Sequence, residues 1–180
     1  MTAFLFVMMA IRTYAVAGSI YLPAPSEKAY PDYEKQLIIQ DVKDKSIPFS
    51  LQTISNLLKV ASQESSKNTS LFPIQIYVII PTGAYYYNAN KNVLIQISEA
   101  NWTGYTHALF TVLYIGSYQT QESDILFTSE TIGENFSQAA SSMGLMVFHP
   151  LNVNRMYLKK ELKLGERNNI LFIQSIGEIK

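Results

Sequence analysis

The chain contains no cysteine and only two histidines, His107 and His149. Without cysteine there is no disulfide, thiolate nucleophile, iron–sulfur cluster or Cys-containing zinc site, and the redox compartment stays undetermined. Two histidines are too few for a His-based metal centre unless several carboxylates join them. Charge is also scarce. Charged residues make up 16%, with 14 Lys+Arg balanced by 14 Asp+Glu, and no basic cluster is longer than Lys159-Lys160. A phosphate backbone finds no electrostatic footprint here, so nucleic acid is not an expected partner. The apolar run over residues 2–11 is broken by Arg12, well short of the ~18 uninterrupted apolar residues a membrane span requires. Internal repeats, a G-x-G-x-x-G turn, a Walker loop, H-E-x-x-H and G-x-S-x-G are all missing, which removes the commonest nucleotide, metalloprotease and hydrolase signatures.

What remains is a chain of 180 residues that is 48% hydrophobic. That is the length of one ordinary domain, and folding should bury about 70 per cent of the unfolded chain's surface. Residues 1–180 therefore read as a single domain, with an apolar N-terminal helix over 1–19 and a core over 20–180. The N-terminal run ends near Ala15-Val16-Ala17, which resembles a signal-peptidase site, but no basic residue precedes the run and Arg12 interrupts it. A buried or interface helix in a cytoplasmic protein is the preferred reading, with a cleaved signal peptide as its alternative.

Periodicity places the elements. Pro23, Pro25 and Pro31 punctuate an irregular stretch, and 33–40 suits a short helix. Leu51, Ile54, Leu57, Leu58 and Ala61 share one helical face, with Ser50 positioned to cap the first free backbone NH groups. The polar residues 63–70 read as a loop. The continuous apolar run 74–80 is rich in β-branched residues and predicts a central strand covered on both faces. After Pro81-Thr82-Gly83, the strands 85–87 and 93–97 flank an Asn-rich turn suited to left-handed backbone angles, which predicts a β-hairpin. Residues 108–115 give another central strand. Ile132, Phe136, Ala139, Ala140 and Met143 fall on one face of a helix closed by Gly144, and the small residues let another element approach. Asn154 caps a short helix with Met156, Leu158, Leu162 and Leu164 as its apolar positions and Gly165 as its end. Residues 170–176 form the last strand. The sum is an α+β domain with a mostly antiparallel sheet between helices.

Few residues stand out chemically. Glu130 and Glu134 lie one helical turn apart, a spacing that an acid–base pair could use and that a solvated helix face also produces. His149 beside Pro150 is either a ligand-facing loop residue or a hydrogen-bonded structural histidine. The tyrosines at 85–87 could stack on a planar cofactor, or alternate between packing and solvent. Asn68, Asn101 and Asn135 each open an Asn-x-Ser/Thr triplet, a number that chance nearly supplies in a chain rich in these residues.

The order of several local strings resembles the FMN-dependent nitroreductase family, particularly its azoline-dehydrogenase-like branch. These strings are Ile20-Tyr21-Leu22-Pro23-Ala24-Pro25, the Ser50-Leu51-Gln52-Thr53-Ile54 helix start, Ile76-Tyr77-Val78-Ile79 and Gly83-Ala84-Tyr85-Tyr86-Tyr87-Asn88. They continue with Asn135 followed by Ala139, Ala140, Gly144 and Leu145, then Leu162-Lys163-Leu164 and Ile176-Gly177. The resemblance covers about residues 20–180. It implies an α+β fold whose two subunits interlock, with FMN at the interface between them.

The resemblance also implies which ligands to look for. Relatives hold the flavin phosphate and ribityl oxygens with an Arg-Arg-Ser-x-Arg-like motif, and the matching stretch here is Ile38-Ile39-Gln40-Asp41-Val42, with every arginine replaced. Charge-assisted bonds of about 1.5 to 3 kcal/mol each are then lost. Lys43 and Lys45 are the nearby substitutes, with Arg155 and Lys180 further candidates. Phe72 stands where the family places an amide side chain along the flavin. Residues 146–152 match the loop whose backbone NH reaches flavin N5, where Pro150 has no NH to give. Asn135 and His149 complete the cofactor-binding candidates, His149 as a donor replacing that NH. No catalytic residue is assigned and no metal is expected.

The favoured expectation is a nitroreductase-fold protein with an eroded FMN site, serving as a structural or binding subunit and binding FMN weakly or not at all. The alternative is an active FMN-dependent NAD(P)H oxidoreductase of azoline dehydrogenase or nitroreductase type. Either is expected as a homodimer, with the apolar 4–11 segment and the helix through Phe136 and Ala140 at the interface. A heterodimer with a flavin-bearing paralogue is the other assembly.

Overall fold

A computed structural model describes residues 18–26, 50–67, 74–80, 82–99, 108–117 and 122–178. The apolar segment through residue 17, the short helix expected over 33–40, Asn68, Asn101 and His107 lie outside the described residues. Among the described residues seven strands form one antiparallel sheet: β1 (Ser19–Tyr21), β2 (Gln75–Ile80), β3 (Gly83–Asn88), β4 (Val93–Ser98), β5 (Phe110–Ser117), β6 (Leu145–Phe148) and β7 (Asn168–Glu178). Their spatial order is β1-β4-β3-β2-β5-β7-β6, so the apolar run of β2 does occupy the sheet centre. Among the described residues there are three helices: α1 (Leu51–Lys67), α2 (Glu122–Ser142) and α3 (Arg155–Glu161).

Among the described residues the two faces of the sheet carry cores of unequal size. On one face Ile76, Val78, Tyr85, Tyr87, Leu94, Phe110, Val112 and Tyr114 pack against α1 and α2, where Ile54, Leu57, Leu58, Ala61, Ile132, Phe136, Ala139 and Ala140 are buried. On the other, Ile79, Ala84, Leu113, Ile115, Ile170 and Ile173 cluster with Leu158 and Leu162 of the short α3 region, with Tyr77, Val153 and Leu164 at the margin. The period-2 alternation along β2 distributes its residues between these two cores. Phe110 and Phe136 meet edge-on, centroids 6.3 Å apart. Phe136 and Ala140, on the helix expected to contribute to a subunit interface, are fully buried in this chain's own core. The outward face of α2 carries the exposed Glu130, Glu134, Gln138 and Ser141.

The caps follow the sequence closely. Ser50 Oγ accepts from the backbone NH of Thr53 at 3.2 Å, and Asn154 Oδ1 from that of Tyr157 at 3.0 Å, each satisfying a donor the first helical turn leaves free. Gly144 closes α2 with φ 72, in the left-handed region. In the β3–β4 hairpin the left-handed residue is Asn92, φ 49, while Asn88 Oδ1 accepts from the NH of Lys91 at 3.2 Å.

Four expectations are corrected. Helix α1 continues to Lys67, so 63–67 is helix rather than loop; Gln, Glu and Lys lose little rotamer freedom in a helix, and nothing in their polarity ends one. Leu51 is 43% exposed and Met156 77%, because each lies in the first turn, beyond the contact with the sheet. The end of α3 is set by Lys163, not Gly165. Lys163 takes φ 52, its NH bonds the Lys160 carbonyl at 3.0 Å, and the NH of Leu164 bonds the Lys159 carbonyl at 3.0 Å, the paired bonds of a Schellman closure. Finally, the stretch read as a loop from Met146 begins as an edge strand, β6, paired with β7 from Leu145↔Glu178 to Phe148↔Ser175.

Candidate functional site

The chemistry-bearing side chains gather where α2 crosses β5 and β7. Along β7 the alternation sends Phe172, Gln174 and Ile176 towards α2. Gln174 is 1% exposed and its amide is fully used: Nε2 donates to the Gly133 carbonyl at 2.9 Å and to Ser137 Oγ at 2.8 Å, and Oε1 accepts from Tyr114 Oη at 2.7 Å. Burial pushes the Tyr114 phenol well above its usual 10.0, so this network is neutral across ordinary pH. Gly133 is required where Phe172 crosses the helix. A Cβ there would meet Phe172 Cε1 at 2.5 Å. Phe172 in turn lies against Tyr114 at 5.8 Å and against the imidazole of His149 at 4.9 Å.

His149 follows directly on β6 and is exposed. Its Nδ1 lies 3.3 Å from the Ile173 carbonyl. A carbonyl only accepts, so this contact is a hydrogen bond in the forms of the ring that carry a proton on Nδ1.

Asn135 is half-buried on α2, two residues from both Gly133 and Ser137. At 100° per residue it stands about 200° round the helix from each, on the flank away from β7 and the His149–Phe172 contact. One chain therefore does not bring Asn135 and His149 together. Lys43 and Lys45 lie outside the described residues, as do Phe72 and Lys180. Arg155 is engaged: its Nη1 donates to the Ile170 carbonyl at 3.3 Å. Lys159 Nζ likewise donates to the Glu166 carbonyl at 2.9 Å. Glu130 and Glu134 are both exposed, consistent with a solvated face. Among the described residues no group of three His, Cys, Asp or Glu side chains is placed to hold a metal ion.

The hairpin tyrosines divide between the faces. Tyr85 and Tyr87 are each 3% exposed and belong to the α1/α2 core. Tyr86 points the other way and meets Tyr77 across the strand pair, centroids 5.5 Å apart. Burial, then the neighbouring Tyr86 phenol, raises Tyr77 above its usual value. These two half-buried rings are the described aromatic pair nearest to a stacking surface. Phe172 and Gln174 carry no sequence signal for this role: a register shift between Tyr114 and Ile115 breaks the simple alternation of β7, so that Ile170 lies in one core and Phe172 in the other.

Solved structures share this fold. A candidate nitroreductase from Ralstonia eutropha superposes with a TM-score of 0.70 at 19% identity, over 90% of this chain and 90% of its own. The chain has the nitroreductase fold. A chain of the E. coli microcin synthetase McbBCD complex, solved with truncated pro-MccB17 bound, gives 0.59 at 15% identity over 82% of this chain and 79% of its own. An FMN-dependent nitroreductase from Clostridium difficile gives 0.51 at 18% over 76% and 80% respectively. No protein-family model matches the chain, and no curated protein is significantly similar to it. The fold is thus shared with these structures at 15% to 19% sequence identity. Among the described residues no helix is long and apolar enough to cross a membrane.

Proposed function

We propose that this chain is a divergent nitroreductase-family protein, one domain over 1–180, whose flavin site is eroded and which acts as a structural or binding subunit of a cytoplasmic dimer. The observation that carries the reading is the state of the ligand set around β6 and β7. Pro150 supplies no NH, His149 Nδ1 lies against the Ile173 carbonyl, and Asn135 stands on the far flank of α2. Arg155 is also engaged with a backbone carbonyl. The described donors of one chain thus offer FMN little, which supports the eroded reading. The replacement of the arginines at 38–42 removes the phosphate charge as well. About three charge-assisted bonds fewer correspond to a loss of thousands-fold in affinity.

The second reading, an FMN-dependent NAD(P)H oxidoreductase, is favoured by the shared fold with the FMN-dependent C. difficile protein. It requires two subunits, so that Asn135 of one chain and His149 of the other line one cleft, with Lys43 and Lys45 at the phosphate. The visible spectrum separates the two. Purified protein is expected to be colourless and to remain so after FMN is added and the excess removed. Submicromolar FMN binding by calorimetry overturns the first reading. In that case the joint Lys43→Ala, Lys45→Ala variant is expected to bind FMN about tenfold more weakly without loss of fold. The sedimentation mass tests the assembly, and a single-chain mass at micromolar concentration overturns the dimer. Co-purification from the native cell distinguishes a homodimer from a pairing with a flavin-bearing paralogue.

A further inference from the structure

The edge of β7 is longer than the strand that covers it. Pairing with β5 runs along β7 from Asn168 to Ile176, whereas β6 pairs only Ser175 to Glu178. Residues 168–174 thus have a strand on one side and none among the described residues on the other. A row of backbone groups in that state is a template for another strand unless something blocks it.

What lies across it is the segment that leaves β6 for α3. His149 rests its ring on Phe172, which packs with the α1/α2 core, and Val153 packs with the opposite core beside Ile170 and Ile173. Between these anchors the chain must pass over the β7 edge. At the crossing, His149 Nδ1 donates to the Ile173 carbonyl and Arg155 Nη1 to the Ile170 carbonyl, both at 3.3 Å. Each bond fills an acceptor with a side-chain donor. Leu151, at the apex, is 94% exposed and gives the crossing no packing of its own.

We propose that residues 149–155 are an edge guard: His149 and Arg155 fasten a strap across β7, and with the fastenings removed the edge at 170–173 pairs with the same edge of a second copy of this chain. Self-pairing is the favoured occupant because two identical strand edges related by a two-fold axis run antiparallel, the sense of every pair in this sheet. The assignment is independent of flavin and of the assembly proposed above, since it concerns association beyond the parent's own state.

The test is the His149→Ala, Arg155→Ala double variant, compared with the parent by hydrogen exchange and sedimentation at micromolar concentration. Backbone amides of 169–174 should exchange about tenfold faster in freshly diluted protein. The mass should then rise above that of the parent as concentration increases. Unchanged exchange in that segment overturns the guard. Adding Leu151→Asp distinguishes edge pairing from adhesion through the apolar apex: association retained supports the pairing, and association abolished overturns it. Arg155→Ala alone leaves the His149–Phe172 contact in place. If the double variant fails to fold, the single one should still show the faster exchange, and its absence there counts against the proposal.

Discussion

Replacing Asn92 by alanine removes the side chain that ties three separate segments together. Its Nδ2 donates to the Pro23 carbonyl at 2.8 Å and to Ser55 Oγ at 3.0 Å, with the Leu22 carbonyl at 3.4 Å, and its Oδ1 accepts from Tyr87 Oη at 3.0 Å. The N-terminal strand region, α1 and the β3–β4 hairpin thus meet on one amide. Tyr87 and Ser55 are both buried, so their hydroxyls lose a partner that water does not readily replace. Three good bonds at about 1 kcal/mol each, together with the extra strain of a Cβ-bearing residue other than Asn at φ 49, give a loss of about 3 to 4 kcal/mol. For a chain of this size that is a fall of about 10 °C in Tm. Urea unfolding with an unchanged m value is the assay. Asn92→Gly separates the contributions, because it relaxes the backbone but makes none of the bonds; it should recover about 1 kcal/mol relative to alanine. If Asn92→Ala lies within 1 kcal/mol of the parent, or if glycine restores full stability, the bridging amide is not what holds these segments.

Gly133→Ala should destabilise by about 1 to 3 kcal/mol despite alanine's better helix propensity, since its Cβ would meet the Phe172 ring at 2.5 Å; Phe172→Leu in the same background should recover part of the loss in thermal unfolding. Lys163→Gly should raise stability by up to about 1 kcal/mol in chemical denaturation, because the closing position of α3 has φ 52. Tyr114→Phe orphans Gln174 Oε1 and should reduce stability by about 1 to 3 kcal/mol at neutral pH. The raised Tyr114 pKa makes a second mark: above pH 10.0 the unfolded chain releases this proton while the folded one keeps it, so stability falls from there upward through the folded value. The alkaline limb of a stability–pH curve should be shallower in Tyr114→Phe.

The sequence alone determined those features that depend on residues close together in the chain. The face of α1 through Ile54, Leu57, Leu58 and Ala61, the caps at Ser50 and Asn154, the Gly144 stop and the central β2 run all follow from local periodicity and backbone chemistry, and the order of such signals made the nitroreductase resemblance legible. Short edge strands were not legible. The three residues of β1 and four of β6 are too brief to show a period, and only pairing with β4 and β7 makes them strands. Lys163 in place of Gly165 likewise depends on where Leu158 and Leu162 must sit against Ile170 and Ile173.

The site residues divide on the same principle. His149 beside Pro150 reads either as a ligand-facing or as a hydrogen-bonded structural histidine, and its contact with the Ile173 carbonyl, 24 positions away, is decided only by the fold. Asn135 carried the family's spacing, yet the rotation of α2 that Gly133 and Gln174 impose turns it to the other flank. Composition and spacing say which donors a chain possesses. Which of them remain free for a ligand is decided only when the sheet and helices close, because each backbone group left open inside the fold first takes a partner from the side chains nearest to it.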